Sequence, residues 1–287
     1  MILLIGIIFS ILMIILCFLI PILGGQEIIV SPHFMWQVPL GFLIFFVLFA
    51  ILFAISVVLY SFAIDREKEY EPNELFRSFF LRFVEVILQF SWARAVTEGL
   101  EEIPDGPCLF VSNHRGNFDP IALIWALRKR HALFVSKHEN LDIPFFGKYM
   151  HKMRYIVIDR EDPRKAMKTL IHCADVMKAG EDIVIYPEGT RNKNLDYSDL
   201  DNTGLLPFHN GVFKCAQMAN VPIVIITTTG SENMSKNTWR RGTDIKIRVS
   251  GVIPADEVKN TKTGELGTKI ANVMIENMKQ MDGIDRH

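Results

Sequence analysis

His114 and Asp119 stand five residues apart in the stretch Asn113-His114-Arg115-Gly116-Asn117-Phe118-Asp119-Pro120. Histidine is the side chain best suited to take a proton near neutral pH. A carboxylate beside it can fix its tautomer and stabilise the imidazolium that forms. The apolar run Cys108–Val111 leads in as a buried strand, and Pro120–Leu127 leads out as a helix, so the pair sits at a strand-to-helix turn. The same residues also read as an ordinary helix start, with Asp119 as N-cap and Pro120 at the first helical position.

Three further stretches carry candidate chemistry. Tyr155-Ile-Val-Ile-Asp159-Arg160 could deliver a guanidinium to the sheet edge that bears His114, where it could fork onto a phosphate. The plain alternative is a surface Asp-Arg pair before a helix capped by Asp162. In Tyr186-Pro187-Glu188-Gly189-Thr190-Arg191, a strand runs into a tight turn with backbone N–H groups, a hydroxyl and a guanidinium, and such turns form anion-binding concavities. Read plainly, it is a strand followed by a Pro-Gly turn. Between Leu206 and Lys214, Gly211 permits close backbone approach and Lys214 could add a cation. No group of His, Cys and carboxylates has metal-ligand spacing, so neither a metal nor a resident cofactor is expected. No G-x-S-x-G elbow for a histidine-activated serine is found.

These residues need a scaffold, and from residue 94 onward the chain alternates strand and helix. The expected strands are Ala95–Leu100, Cys108–Ser112, Leu133–Ser136, Tyr155–Ile158, Ile183–Tyr186, Val221–Thr228 and Asp244–Val252. The expected helices are 120–130, 163–178, about 209–218 and 264–281; the second has a start at Asp162-Pro163 and a stop at Gly180. The fold class is therefore α/β, a mixed or largely parallel sheet flanked by helices, preceded by two N-terminal membrane helices.

Those two helices are read from an uneven hydropathy. The 287 residues are 49% hydrophobic, with a mean hydropathy of +0.22. Before Asp65 the one formally charged side chain is Glu27. Ile2–Ile20 and Val38–Ile64 are uncharged runs long enough to cross a bilayer as helices, although a hairpin dipping into one leaflet would look similar. The loop between them lacks Lys and Arg, whereas Arg66, Lys68, Arg77 and Arg82 follow the second run. The positive-inside rule then predicts an integral membrane protein with its large domain on the cytoplasmic face. Three regions are expected: a two-helix anchor over 1–64, a juxtamembrane interfacial helix over 65–93, and an α/β catalytic domain over 94–287. For residues 73–92, a domain helix packing on the sheet is the competing assignment. Beyond Asp65 basic and acidic side chains balance, which argues against nucleic acid as a partner. Cys17, Cys108, Cys173 and Cys215 are scattered and read as reduced structural thiols.

In their order and spacing, N-H-x-x-x-x-D, I-D-R, Y-P-E-G-T-R and V-P-I-V resemble the glycerolipid acyltransferases, in particular those acting on 1-acyl-sn-glycerol 3-phosphate. The likeness runs from about Gly99 to Gly230 and includes Lys137 and Pro144-Phe-Phe-Gly147. It implies acyl transfer from acyl-CoA or acyl-carrier protein, as co-substrate, to the sn-2 hydroxyl of lysophosphatidate at a lipid bilayer. His114 would act as general base, oriented by Asp119. Arg160, Glu188, Gly189, Thr190 and Arg191, with Lys137 and Lys214, would bind the substrates. Another lysophospholipid acceptor, a lipid transacylase, or a non-catalytic lipid-phosphate-binding membrane protein are the alternatives. The sequence departs from the family pattern at Gly116, Arg154, Val157, His209-Asn210 and Ile225, which bears on headgroup and acyl-chain preference. Residues 192–204 form a longer acidic segment, read either as a flap beside the site or as an inert insertion.

Overall fold

The computed structural model describes residues 55–130, 132–144, 146–159, 162–192, 204–234, 237 and 242–283, with positions 41, 44, 47, 48, 51 and 52 before them. Packing divides the chain after Asp65 into two compact units. In the first, residues 55–62 are helical, and Ile55, Leu59 and Phe62 expose 47%, 62% and 69% of their surface. The run 2–20 lies outside the described residues. Among the described residues, no helix is long and apolar enough to cross a membrane.

The second unit is a seven-stranded sheet covered on both faces. Its strands are β1 (Ala93–Glu98), β2 (Leu109–Ser112), β3 (Ala132–Lys137), β4 (Ile156–Ile158), β5 (Asp182–Ile185), β6 (Ile223–Thr229) and β7 (Thr243–Ile253). Their order is β1-β7-β6-β2-β5-β3-β4. β6, β2, β5, β3 and β4 run parallel, whereas β7 is antiparallel to β6 and β1 is parallel to β7. β2 is central, and all four of its residues are buried. That explains why it reads as an uninterrupted apolar run: a strand covered on both faces has no polar side to alternate with.

The helices are α1 (Glu74–Phe90), α2 (Asp119–Ala126), α3 (Phe146–Lys152), α4 (Pro163–Lys178), α5 (Lys214–Ala219), α6 (Ala255–Asn260) and α7 (Thr263–Asp282). α4 begins where expected, because the Asp162 side chain accepts from the N–H groups of Arg164 and Lys165. The short helices α3 and α6 were not anticipated. Gly147 would be a poor helix former in isolation. In α3 its lack of a side chain lets the Leu141 carbonyl approach to within 1.9 Å of where a Cβ would stand.

α1 was open between the headgroup zone and the sheet. It buries Phe76, Phe80, Val84 and Leu88, a four-residue repeat along one face. Phe80 packs at ring-centroid distances of 6.4 Å from Phe146 and 6.3 Å from Tyr155. Arg77 of α1 donates to the carbonyls of Arg128 and Arg130, just past the end of α2. On the far face of the sheet, α4, α5 and α7 enclose the main apolar cluster, from Leu109 and Val111 to Ile270 and Met274.

All five parallel strands end on one edge. The chain leaves β2 for β3 on one side, while β6 flanks β2 on the other, so a crevice opens beyond the carboxyl end of β2. Phe80→Ala should cost about 3–5 kcal/mol by leaving a cavity between α1 and the sheet. Leu75→Ser, at a position 84% exposed on the same helix, should shift stability by no more than about 0.5 kcal/mol. Denaturant midpoints of the two variants would check this assignment of the packed face.

Candidate active site

Two residues past β2, the backbone turns sharply and Asp119 closes the turn. Asp119 is fully buried. Its Oδ2 accepts from the N–H groups of Arg115 (2.6 Å) and Gly116 (2.7 Å) and lies 3.0 Å from His114 Nδ1. Asp119 does not act as the helix cap that its position before proline suggests. It is the first residue of α2, the cap position falls on Phe118, and no side chain caps the helix. One oxygen makes all three contacts, and Oδ1 is buried without a hydrogen-bond partner among the described residues.

An ionised carboxylate only accepts, so the proton between Asp119 and His114 resides on Nδ1 of the neutral ring. Nε2 then carries the free lone pair, and it has no hydrogen-bond partner among the described residues. The imidazole stacks on the Tyr186 ring, with centroids 4.5 Å apart and planes 29° from parallel. Burial raises the Tyr186 phenol, and the negative Asp119 adds to this, so the ring stays neutral.

The Glu188-Gly189-Thr190-Arg191 turn divides into two parts. Glu188 is 3% exposed. Its Oε1 accepts from the His114 N–H (2.7 Å) and its Oε2 from the Leu206 N–H (2.8 Å). The carboxylate therefore staples the histidine turn to the 204–208 loop instead of facing the cleft. Burial pushes its pKa up to about 7, outweighing the two backbone donors that favour the ionised form. Gly189 has a φ of +73°, which a side chain would resist, and its N–H closes the turn on the Tyr186 carbonyl (3.1 Å). Thr190 and Arg191 are exposed, and Arg191 donates to the Asn117 side chain.

His114, Tyr186, Gly189, Thr190 and Arg191 line a cleft of about 690 Å³. Its walls are largely apolar, with Ile121 and Ile124 from α2, Phe134 from β3, Ile87 from α1 and Phe146 and Met150 from α3. Lys137, at the end of β3, joins Arg191 as a cation in the lining, with Glu139 as the acidic member. Lys214 is exposed on α5 and does not line the cleft. Arg160, and residues 193–203 of the acidic segment, lie outside the described residues. Gly211 is exposed, and a Cβ there would meet nothing within 4 Å, so close approach is not its role.

The sequence departures fall away from the cleft. A Cβ on Gly116 would stand 2.6 Å from Ser231 Oγ and 2.8 Å from the Ser231 carbonyl carbon. This residue packs on backbone behind the turn and does not face a substrate. Arg154 pairs with Glu181 at 2.7 Å, just before β4 and β5 and so at the opposite sheet edge. Ile225 is buried within β6. Asn113 precedes the histidine and has no chemistry of its own that its sequence position reveals. Its side chain exchanges hydrogen bonds with the Thr228 backbone (2.9 and 2.8 Å). Only the pairing of β2 with β6 reveals this.

Residues 94–229 match the family model described as Acyltransferase. A chloroplastic 1-acyl-sn-glycerol-3-phosphate acyltransferase of Brassica napus is 35% identical over 136 residues, which cover 47% of this chain and 37% of the relative. The enzyme of that name from Haemophilus influenzae is 33% identical over 138 residues, covering 47% and 53%. The one from Escherichia coli K12 is 27% identical over 179 residues, covering 62% and 69%. The chain thus spans about a third to a half of the length of the first two relatives. The crystal structure of the 1-acyl-sn-glycerophosphate (LPA) acyltransferase PlsC from Thermotoga maritima shares the fold, with a TM-score of 0.57 and 20% identity over 80% of this chain and 89% of that one.

Two outcomes follow from this geometry. Glu188 has a folded pKa above its unfolded one, so its contribution to stability is full below about pH 4.5 and is lost as pH rises through about 7. The thermal midpoint should fall between pH 5 and pH 8, and Glu188→Gln should flatten that slope by an amount on the order of 2 kcal/mol. Gly116→Ser should destabilise the domain by about 1–3 kcal/mol, through forced displacement of Ser231, as a thermal or denaturant midpoint would show.

Proposed function

We propose, on the premise that residues 94–229 form an acyltransferase-family domain, that the chain is a membrane-bound 1-acylglycerol-3-phosphate O-acyltransferase. It would transfer an acyl group from acyl-CoA or acyl-carrier protein to the sn-2 hydroxyl of lysophosphatidate, giving phosphatidate. The observation that carries this reading is the His114–Asp119 pair, with Nε2 free, in an apolar cleft whose lining also holds Lys137 and Arg191. An amphiphile with one anionic group matches such a cleft, because its chain covers apolar wall while its phosphate meets fixed cations.

In the mechanism, Nε2 takes the proton of the acceptor hydroxyl as its oxygen attacks the thioester carbonyl. The carbon–sulfur bond breaks, and the imidazolium returns the proton to the thiolate. No covalent acyl-enzyme is needed. Asp119 holds Nδ1–H and favours the imidazolium as it forms. Arg191 and Lys137 would hold the phosphate, and the family resemblance adds Arg160 to that set. No metal or resident cofactor enters the scheme. The apolar runs 2–20 and 38–64 would tether the domain to the cytoplasmic face of a bilayer, where acceptor and product reside.

Purified protein supplied with acyl-CoA and lysophosphatidate should release free thiol and form phosphatidate, identified by mass. His114→Ala should lower the rate by about 10²-fold or more. Arg191→Ala and Arg160→Ala should raise the KM for the acceptor more than that for the donor. A His114→Ala enzyme of undiminished rate would remove the base from this scheme.

A further inference from the structure

The turn that carries His114 is gripped from behind by residues outside all four sequence motifs. Asn113 is bound to the backbone of Thr228, and Gly116 is packed on Ser231. Between them, Arg115 sends its side chain away from the cleft and leaves 4% of it exposed. One terminal nitrogen lies 2.8 Å from Glu232 Oε1 and the other 2.7 Å from Asp282 Oδ2, in the last turn of α7. That helix end is itself fixed to β7, because Lys246 donates to the Met281 carbonyl at 3.1 Å. The backbone N–H of the same Arg115 donates to Asp119 Oδ2.

We propose that Arg115 is a positioning residue, and that the ion triad of the buried Arg115 with the partly exposed Glu232 and Asp282 holds the 114–116 backbone where Asp119 Oδ2 can accept from two N–H groups and the imidazole together. This rests on the reading of His114 as the base. Net stability is a poor explanation for such a triad, since taking the Arg115 guanidinium out of water offsets much of its attraction to the two carboxylates. Conformational specificity is the stronger one, because rotation of the 115 peptide would withdraw one of the three donors from Oδ2. Arginine suits the task better than lysine: its planar fork addresses two carboxylates at fixed angles. The base pair is thereby aligned from Glu232, past the end of β6, and from the last turn of α7, on the face of the sheet away from the cleft-lining helices.

The test uses the full chain and three variants: Arg115→Met, Arg115→Lys, and the Glu232→Gln/Asp282→Asn pair. Nitrogen-15 shifts of the His114 ring report the Nδ1–H tautomer independently of turnover. The positioning role predicts loss of the dominant Nδ1–H tautomer in Arg115→Met and partial recovery in Arg115→Lys. In the acyl-transfer assay, kcat should fall by about 10- to 100-fold with both KM values within about twofold. If Arg115→Met does not fold, the Glu232→Gln/Asp282→Asn variant supplies the same readings without leaving two carboxylates stripped of their shared cation. An unchanged tautomer in folded Arg115→Met or in the folded Glu232→Gln/Asp282→Asn variant overturns the proposal, even if its melting temperature drops. A shifted tautomer in a protein whose parent shows no acyl transfer supports the positioning role and removes the proposed reaction instead.

Discussion

One oxygen atom organises this site. Asp119 Oδ2 accepts from the N–H groups of Arg115 and Gly116 and faces Nδ1 of His114. Three donors converging on a single fully buried oxygen leave the imidazole little rotational freedom, since tilting it would strip a charge-assisted hydrogen bond in a low-dielectric setting. The tautomer follows from the same contact, and so does the direction in which Nε2 presents its lone pair. A histidine that is both held and available needs this arrangement. A mobile histidine would lose in orientation what it gained in access.

The surrounding fold can be understood as support for that oxygen. The apolar β2 runs through the centre of the sheet and delivers Asn113 and His114 to its carboxyl edge, where the parallel neighbours β5 and β6 also end. Backbone groups freed where β2 turns away from the sheet must find partners, and side chains supply them. Asn113 pairs with Thr228, and Glu188 accepts the N–H of His114. The Asn192 N–H donates to the His114 carbonyl at 2.8 Å. Residues from the ends of β2, β5 and β6 thus converge on one short turn. Of the turn after β5, the buried Glu188 supports the histidine while Thr190 and Arg191 reach the cleft. Neighbours in sequence therefore serve opposite faces of one wall.

Much of the scaffold was legible in advance. All seven strands fall within two residues of the expected limits, and the central ones are plainest, because apolar runs bounded by Pro and Asp signal strands buried on both faces. α4 was equally plain from its Asp162-Pro163 start. α3 was hidden by Gly147, whose low helix propensity is overridden by close packing on Leu141. The direction of β7 was open as well, since a mixed and a largely parallel sheet draw on similar strands. Gly116 shows the same limit from another side. Its position in the motif suggested a selectivity residue, and only the approach of Ser231 shows that the space is already filled.

The sequence by itself determined the α/β alternation, the strand-to-helix turn that carries the histidine and carboxylate, and the tight turn after β5 that ends in Arg191. These depend on local periodicity and on residue types at short spacing, which the chain displays directly. The tertiary structure alone decided which carboxylate oxygen meets His114, that Glu188 is turned inward while Arg191 is turned out, and that Lys214 stands away from the cleft. It also decided that Glu232 and Asp282 close on Arg115, across 117 and 167 residues of chain. Such contacts are set by strand order and helix packing, which bring distant residues together, and no pattern within a short window encodes them.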